Sequence, residues 1–295
     1  MYELEQDMRT VRRGPILAIS RDTPVPTGAV YFEAPSMRKI HGRYYLVYSA
    51  RNTGLYYFIS DRPDGDFQFG GRIHSTSDVG INGYSEEEPC CPMGNTHGGL
   101  MELNGRYYIF DHRHTNHSSF CRQGVAEPVT IDEQGRIAQA ETTSCGLNDG
   151  WLAGEGTYPV YIACILYYEK TVAKEDRTAC ITQDGEDREC LPGQYIRGIS
   201  NGCIVGYRYF EGQALQSIRL KVRGKAKGTL YVTCHEEGGK IQEPLRNAVG
   251  SSACDIDTGD WETLTIPVQI PAGVYPLYFR FRGEGSLDLS EFTLE

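Results

Sequence analysis

A repeated strand–turn–strand pattern constrains this chain more than any other feature. The tetrapeptide Gly-Arg-Tyr-Tyr occurs at residues 42–45 and again at 105–108. Apolar residues precede each glycine and continue after it, as Tyr-Tyr-Leu-Val-Tyr in the first copy and Tyr-Tyr-Ile-Phe in the second. A glycine-containing turn between two such runs is typical of a β-hairpin. Two copies at this spacing indicate successive blades of a β-propeller, whose blades are four-stranded sheets.

The rest of the chain also indicates strands. Runs rich in Tyr, Val, Ile, Leu and Phe alternate with turns that contain Gly, Asp or Asn, and no long apolar stripe has the 3.6-residue period of a helix. We therefore predict an all-β chain. Blade-like strands extend over about residues 31–78 and 97–137. The acidic, turn-rich connection at 80–89 is long enough to line the mouth of a pocket.

A glycine-rich passage at residues 146–156 interrupts this pattern and predicts a domain boundary. Strands beyond it, such as 217–224 and 277–283, alternate apolar and polar residues, as half-buried strands of a sandwich do. The expected architecture is a partial β-propeller of about two blades over residues 1–147, followed by a β-sandwich over 157–295 that folds independently.

The charge of the chain argues against several classes of partner. The formal net charge is −10 and no block of lysine or arginine is present, which disfavours a nucleic-acid or anionic-membrane surface. The first residues lack the basic start and apolar run of a secretory signal, and no stretch approaches the roughly 20 apolar residues of a membrane span. We therefore expect a cytoplasmic protein that contacts neither nucleic acid nor membrane.

Three short motifs resemble glycoside hydrolase family 43. They are Phe-Glu-Ala-Pro at 32–35, Gly-Asn-Thr-His-Gly at 94–98 and Phe-Asp-His-Arg-His at 110–114. The resemblance implies a five-bladed propeller that hydrolyses β-xylosides and α-arabinofuranosides of plant hemicellulose, with inversion at the sugar. The strands at 206–210 and 276–281 are similar to those of carbohydrate-binding-module family 6. An oligosaccharide is therefore the expected substrate.

Glu33 is the candidate general acid. The resemblance implies that the glutamate of the Phe-Glu-Ala-Pro motif protonates the leaving glycosidic oxygen. Its neighbours Tyr31, Phe32 and Pro35 are apolar, and partial desolvation keeps a carboxyl group protonated nearer to neutral pH. Outside such a motif, a glutamate at a strand start is usually a surface residue.

His97 and Arg113 are the candidate substrate-binding residues. Glycine at position 98 lets the backbone at His97 pass close to a propeller axis. The resemblance implies that this histidine lies beneath the active site and binds an axial water or cation, often calcium. A histidine hydrogen-bonded in a tight turn is the alternative. Arg113 carries a planar fork that suits sugar hydroxyls or a carboxylate, and the alternative is a solvated arginine at a strand end.

Other clusters favour structural roles. His112 and His114 lie two residues apart on one face of a predicted strand, which supplies no third metal ligand. The cysteine pair at 90–91 lacks the Cys-x-x-Cys spacing of a zinc site. Four aromatic residues of the predicted sandwich offer faces for sugar stacking, although core packing is favoured for most of them: Tyr207, Tyr209, Trp261 and Tyr278.

The resemblance begins late in the expected propeller. It places the general base and a second, acid-tuning aspartate in blades upstream of the glutamate, so neither can be assigned to a residue here. We therefore expect the C-terminal part of a family 43 enzyme, weak or inactive alone, whose partner is a complementary N-terminal propeller fragment. The alternative is a non-enzymatic carbohydrate-binding protein that uses its sandwich. Whether xylose or arabinose is removed stays open.

We predict that the ten cysteines are reduced. They are scattered, mostly within apolar runs, and the first residues carry no secretory signal. Thiol titration in denaturant without reductant should therefore find nearly all of them free. The loss of several thiols in protein of monomeric mass would contradict this expectation.

Overall fold

The regular structure of the protein is almost entirely β. A computed structural model describes residues 1–20, 22–51, 54–185, 193–235 and 247–295. In chain order the strands are β1 Glu3–Leu4, β2 Val11–Arg13, β3 Tyr31–Ile40, β4 Arg43–Ala50, β5 Gly54–Ser60, β6 Gln68–His74, β7 Gly99–Leu103, β8 Arg106–Thr115, β9 Ser118–Val129, β10 Leu152–Ala153, β11 Gly156–Pro159, β12 Ile165–Tyr168, β13 Cys180–Asp184, β14 Gly193–Ser200, β15 Cys203–Gly212, β16 Leu215–Thr233, β17 Ala248–Ile270 and β18 Gly273–Leu294. Short 3-10 helices lie at Thr27–Ala29, Val160–Ile162 and Lys174–Asp176. The predicted all-β fold class is confirmed.

Two compact units make up the chain, and they are interleaved in sequence. Unit 1 contains residues 1–75, 95–112 and 124–141, and unit 2 contains residues 76–94, 113–123 and 142–295. The chain thus passes repeatedly from one unit to the other, and the limits of the domains predicted at 1–147 and 157–295 stay a prediction. Within the described ranges, no helix is long and apolar enough to cross a membrane.

The repeated hairpins form the predicted blades. Strands β3 to β6 make a four-stranded antiparallel sheet, the first blade, and β7 to β9 make a three-stranded sheet, the second blade. The glycine of each Gly-Arg-Tyr-Tyr copy is the second residue of a two-residue turn, and both turn residues have positive φ. The values are 49° and 84° at His41 and Gly42, and 51° and 79° at Asn104 and Gly105. Positive φ at both positions defines the type I′ turn, which matches the twist of the flanking strands.

The first blade is buried on both faces. Tyr45 and Val47 of β4 pack into one cluster with Ile109 of the second blade. Their neighbours Leu46 and Tyr48 pack into a second cluster on the opposite face. A strand covered on both sides needs no polar alternation, which explains the continuous apolar run after the first Gly-Arg.

Long antiparallel strands build the sandwich of unit 2. Strand β16 pairs along most of its length with β17 and with β18, and β18 continues to β14 and β15. Tyr207 and Tyr278 are 0% exposed and belong to the core, which confirms the structural role favoured for them. Tyr209 lies against Trp151, with ring centroids 5.2 Å apart, and Trp261 lies beneath the Arg223 guanidinium at 4.3 Å.

Residues 76–94 are part of the sandwich unit although they precede it by many residues. Asp78 lies 2.7 Å from the Arg208 guanidinium, and both side chains are fully buried. The Thr142 backbone N–H donates to Asp78 Oδ1 at 2.8 Å. The Leu166 N–H donates to the Cys90 carbonyl at 2.9 Å, and Cys90 is part of the sandwich core. The connection at 80–89 therefore lies within a segment that is held by charge, hydrogen bonds and apolar packing.

The glycine-rich passage is also bound into the sandwich. Strand β10 pairs in parallel with β15, and the Gly154 N–H donates to the Glu211 carbonyl at 2.7 Å. An added Cβ at Gly154 would lie 2.8 Å from the Gly212 Cα, so this close approach requires glycine. The passage is thus a packed edge of the sheet.

Nine cysteines fall in the described residues, where each is a free thiol, and Cys190 lies outside them. Cys203 is completely buried, and burial raises the pKa of its thiol to about 12. A thiol with such a pKa stays protonated at neutral pH and reacts slowly.

We predict that Asp78→Asn lowers the free energy of unfolding by about 3–5 kcal/mol, because it removes the buried negative charge that lies against the Arg208 guanidinium. Urea denaturation of the full chain, followed by tryptophan fluorescence, measures the change. Asp257→Asn is the matched control, since this carboxylate is paired with Lys225 at the surface and is 74% exposed. Equal effects of the two substitutions would contradict the importance of the buried pair.

Candidate active site

Glu33 lies on an irregular stretch of β3. It pairs with Ser49 of β4, and the register shifts on both sides of it, between Tyr31 and Glu33 and between Glu33 and Ser36. Ala34 has a φ of 60°, in the left-handed region that non-glycine residues rarely adopt. Such bulges bend a strand and change the direction of its side chains. The backbone at the motif therefore differs from that of a regular strand.

The apolar enclosure predicted around Glu33 is not present in the described chain. Glu33 is exposed, and so are Tyr31, Phe32 and Pro35. The Arg51 guanidinium lies 5.3 Å from the centroid of the Phe32 ring. Desolvation of the carboxyl group thus requires a surface that these residues do not themselves provide.

Hydrogen bonding links the strand opposite Glu33 to the segment that carries His97. The hydroxyl groups of Ser49 and Thr96 lie 3.1 Å apart and are buried, and His97 follows Thr96 directly. An added Cβ at Gly98 would lie 1.7 Å from the Phe110 carbonyl oxygen, so the close approach of this backbone to β8 requires glycine. Unit 1 therefore brings the segments of Glu33 and His97 close together.

A buried carboxylate at Asp111 holds this region in place. Its Oδ1 accepts the backbone N–H of His97 at 3.1 Å and that of His112 at 2.7 Å. Its Oδ2 lies 2.9 Å from His74 Nδ1, and the side chains of His74 and Asp111 are fully buried. The imidazole of His97 is exposed. Asp111 is a positioning residue, because it accepts the backbone N–H of His97 and so fixes the position of that residue.

Neither Asp111 nor His74 was identified from the sequence. The available signal was an aspartate directly after the apolar run Tyr-Tyr-Ile-Phe, since a carboxylate buried in a strand must find hydrogen-bond donors. The identity of those donors depends on chain segments far apart in sequence.

Arg113 belongs to unit 2 and is not grouped with Glu33 and His97. It is 7% exposed, so it is not the solvated strand-end arginine of the alternative. Its Nε donates to Gln123 Oε1 at 2.9 Å and its Nη2 to the Tyr161 carbonyl at 2.8 Å, and Nη1 also donates to the Ala163 carbonyl. These bonds account for a structural role, and sugar binding by Arg113 stays a prediction.

The residues around His97 do not fit direct calcium coordination. Calcium takes about six to eight oxygen ligands, whereas the ring of His97 offers nitrogen and lies 6.3 Å from the ring of His112. In the part of the chain that the structure describes, no group of three or more His, Cys, Asp or Glu side chains could hold a metal ion. A cation at His97 would have to be bound through water.

Comparison with known proteins adds a relationship that the geometry alone does not supply. No protein-family model matches the sequence. The chain is 38% identical over 309 aligned residues to a xylosidase/arabinosidase of Thermoclostridium stercorarium. The alignment includes 99% of the chain and 62% of the relative. The chain is a homologue of this xylosidase/arabinosidase. The resemblance noted from the motifs is thereby confirmed. The chain spans less than two thirds of the length of this relative.

The chain is also similar to solved structures of two kinds. One is a family 43 arabinoxylan arabinofuranohydrolase from Bacillus subtilis in complex with cellotetraose, with 17% identity, 99% of the chain and 58% of that protein covered, and a TM-score of 0.47. The other is a β-1,3-glucan-binding family 6 module from Bacillus halodurans, with 19% identity, 50% of the chain and 99% of the module covered, and a TM-score of 0.37.

We predict that Asp111→Asn lowers the free energy of unfolding by about 1–3 kcal/mol. An asparagine has one acceptor oxygen in place of two and carries no charge, so it cannot accept from His74, His97 and His112 as the carboxylate does. The midpoint of urea denaturation measures the loss. Asp61→Asn is the matched control in the same unit, because Asp61 is 87% exposed and its ion pair with Arg43 is 3.5 Å long. An unchanged midpoint in Asp111→Asn would show that this carboxylate does not hold the segment.

Proposed function

We propose that this protein is part of a glycoside hydrolase that cleaves β-xylosides or α-arabinofuranosides of plant hemicellulose. The observation that carries the proposal is the 38% identity to a xylosidase/arabinosidase over 99% of the chain. Because the relationship includes both the motif at Glu33 and the sandwich strands, it does not favour a non-enzymatic carbohydrate-binding protein. Which of the two sugars is removed is left to the assay below.

In the proposed mechanism Glu33 donates its proton to the glycosidic oxygen as the bond from that oxygen to the anomeric carbon breaks. A carboxylate base on the opposite face takes a proton from water, and the water oxygen bonds to the anomeric carbon with inversion. The irregular backbone of β3 supports this role, since it gives Glu33 a direction that a regular strand would not. His97, on its glycine-lined segment, would contact the sugar or hold a cation such as calcium through water.

We further propose that the base comes from a segment supplied by another part of the enzyme. Exposed apolar side chains beside Glu33 in the chain support this proposal: Val30 is 58% exposed, Tyr31 53% and Phe32 48%. A patch of this kind is typical of an interaction surface. Covering it with a further blade would also desolvate Glu33 and favour its protonated form.

The activity test compares the chain alone with a chimera. The chimera fuses the chain to the part of the T. stercorarium relative that the chain does not span. We expect little or no hydrolysis of aryl β-xyloside and aryl α-arabinofuranoside by the chain alone, and clear turnover by the chimera. Turnover by the chain alone that Glu33→Gln abolishes would contradict the proposal that the base comes from elsewhere.

In the active chimera, Glu33→Gln should reduce kcat on oligosaccharides by about 10²–10⁴-fold and spare aryl glycosides with good leaving groups. A good leaving group needs little protonation, so only the poor one depends on the acid. Glu102→Gln, which alters an exposed glutamate of β7, is the matched control and should leave both rates unchanged. Equal losses on both substrate types would show that Glu33 is not the proton donor.

A further inference from the structure

A cleft of about 890 Å³ lies wholly within unit 2. Residues 84–92 form one wall, strand β12 and residues 169–177 form another, and Arg280 and Arg282 of β18 line its inner part. The volume falls in the range of about 300–1,000 Å³ that small-molecule sites occupy. The connection at 80–89, predicted to line the mouth of a pocket, contributes to this cleft.

The cleft is positively charged although the chain is acidic. Its lining contains five basic residues, Lys170, Lys174, Arg177, Arg280 and Arg282, against three acidic ones, Glu87, Glu88 and Glu169. The whole chain has a formal net charge of −10. A local reversal of charge in a concave site attracts an anion.

Two of the arginines share one carboxylate. Arg280 Nη1 lies 3.1 Å from Glu169 Oε1, and Arg282 Nη2 contacts the other oxygen of the same carboxyl group. The side chain of Arg280 is 3% exposed and that of Glu169 is 14% exposed. Burial is the main cause that lowers the pKa of Arg280, which shows the cost of holding its charge there. Among the described residues, these two arginines and their shared carboxylate leave one positive charge without a counter-ion.

Three N–H groups in this lining are also unsatisfied. The Nε atoms of Arg177, Arg280 and Arg282 are buried and have no hydrogen-bond partner among the described residues. A buried donor without an acceptor is unfavourable, so a ligand acceptor that reached one of these Nε atoms would be bound with extra free energy. A carboxylate accepts two parallel N–H bonds from a guanidinium, which is the geometry that Arg offers best.

Aromatic rings and the rim charges restrict the anion further. Tyr167 lines the cleft, is half-buried and offers an apolar ring to a sugar, and it packs against the buried Tyr84 with ring centroids 6.4 Å apart. At the rim Glu88 is paired with Lys170. Hydrogen bonds from its own backbone and from Ser85 lower the pKa of Glu87, which therefore stays negative. A rim with a negative charge disfavours a dense polyanion and accepts a mostly neutral chain with a single carboxylate.

We propose that this cleft binds a sugar residue that carries a carboxylate, a hexuronic acid. The ligand would be either the free acid or a uronosyl substituent on a neutral polysaccharide chain. This inference rests on the proposed function only in taking a plant saccharide as the ligand. Binding involves neither turnover nor Glu33, so Glu33→Gln should bind as the original chain does, and failure here is distinct from failure of the proposed hydrolysis.

Isothermal titration of the full chain tests the proposal with four probes: glucuronic acid, xylotriose, xylotriose with one glucuronosyl substituent, and inorganic phosphate. We expect the substituted xylotriose to bind at least about tenfold more tightly than xylotriose, with an affinity that falls as salt rises. Binding of free glucuronic acid with equal affinity would identify the free acid as the ligand, and much weaker binding would identify the polysaccharide. Equal affinities for xylotriose and its substituted form, no binding of either acid, or phosphate binding as tight as that of the acids would overturn the proposal.

Two variants locate the site. Arg282→Gln and Arg177→Gln each remove one charge and one unsatisfied N–H, and Arg280 still pairs with Glu169 in both. Each should weaken binding of the acid by about tenfold or more without a change in melting temperature. Lys225→Gln is the matched control, because it removes an 84% exposed charge of the same unit outside the cleft lining. If Arg282→Gln disturbs folding, Arg177→Gln decides, and unchanged affinity in Arg177→Gln would refute this location.

Discussion

The buried contact between Asp78 and Arg208 is the constraint on which much of unit 2 depends. A carboxylate and a guanidinium that are both withdrawn from water must stay together, since either alone would be strongly unfavourable in the interior. The contact therefore fixes residues 76–94 against strand β15. Because that segment is fixed, Tyr84 and Cys90 complete the sandwich core and one wall of the charged cleft acquires a defined position.

Local chemistry made the blades predictable. The turns at His41-Gly42 and Asn104-Gly105 carry their conformation in two residues, and the apolar runs beside them could pair in one register. The alternation along β16 likewise revealed a sandwich strand, because this strand presents one face to the core and one to solvent. The predicted half-burial of β18 is not observed at residues 277–281, which are all buried. The fold class follows from such short-range patterns.

Less of the candidate site could be predicted from the sequence, because its features depend on contacts between segments that are distant along the chain. Glu33 was located by its motif, but its surroundings could not be: the neighbouring apolar residues lie at the surface instead of enclosing it. Arg113 looked like a ligand-binding arginine, yet carbonyl groups about 50 residues further along the chain accept its hydrogen bonds. Asp111 was not predicted, because the sequence around a single carboxylate in a strand does not indicate which backbone N–H groups will donate hydrogen bonds to it.

The interleaving of the two units has a consequence for synthesis of the chain. Residues 76–94 leave the ribosome well before the strands of the sandwich that will cover them, since the unit they join is completed only at its C-terminal strand. During that interval Tyr84, Cys90 and Cys91, which end at 4% exposure or less, have no sandwich core to enter. The nascent chain thus carries an apolar segment that stays uncovered until the later strands are made and that a chaperone can bind.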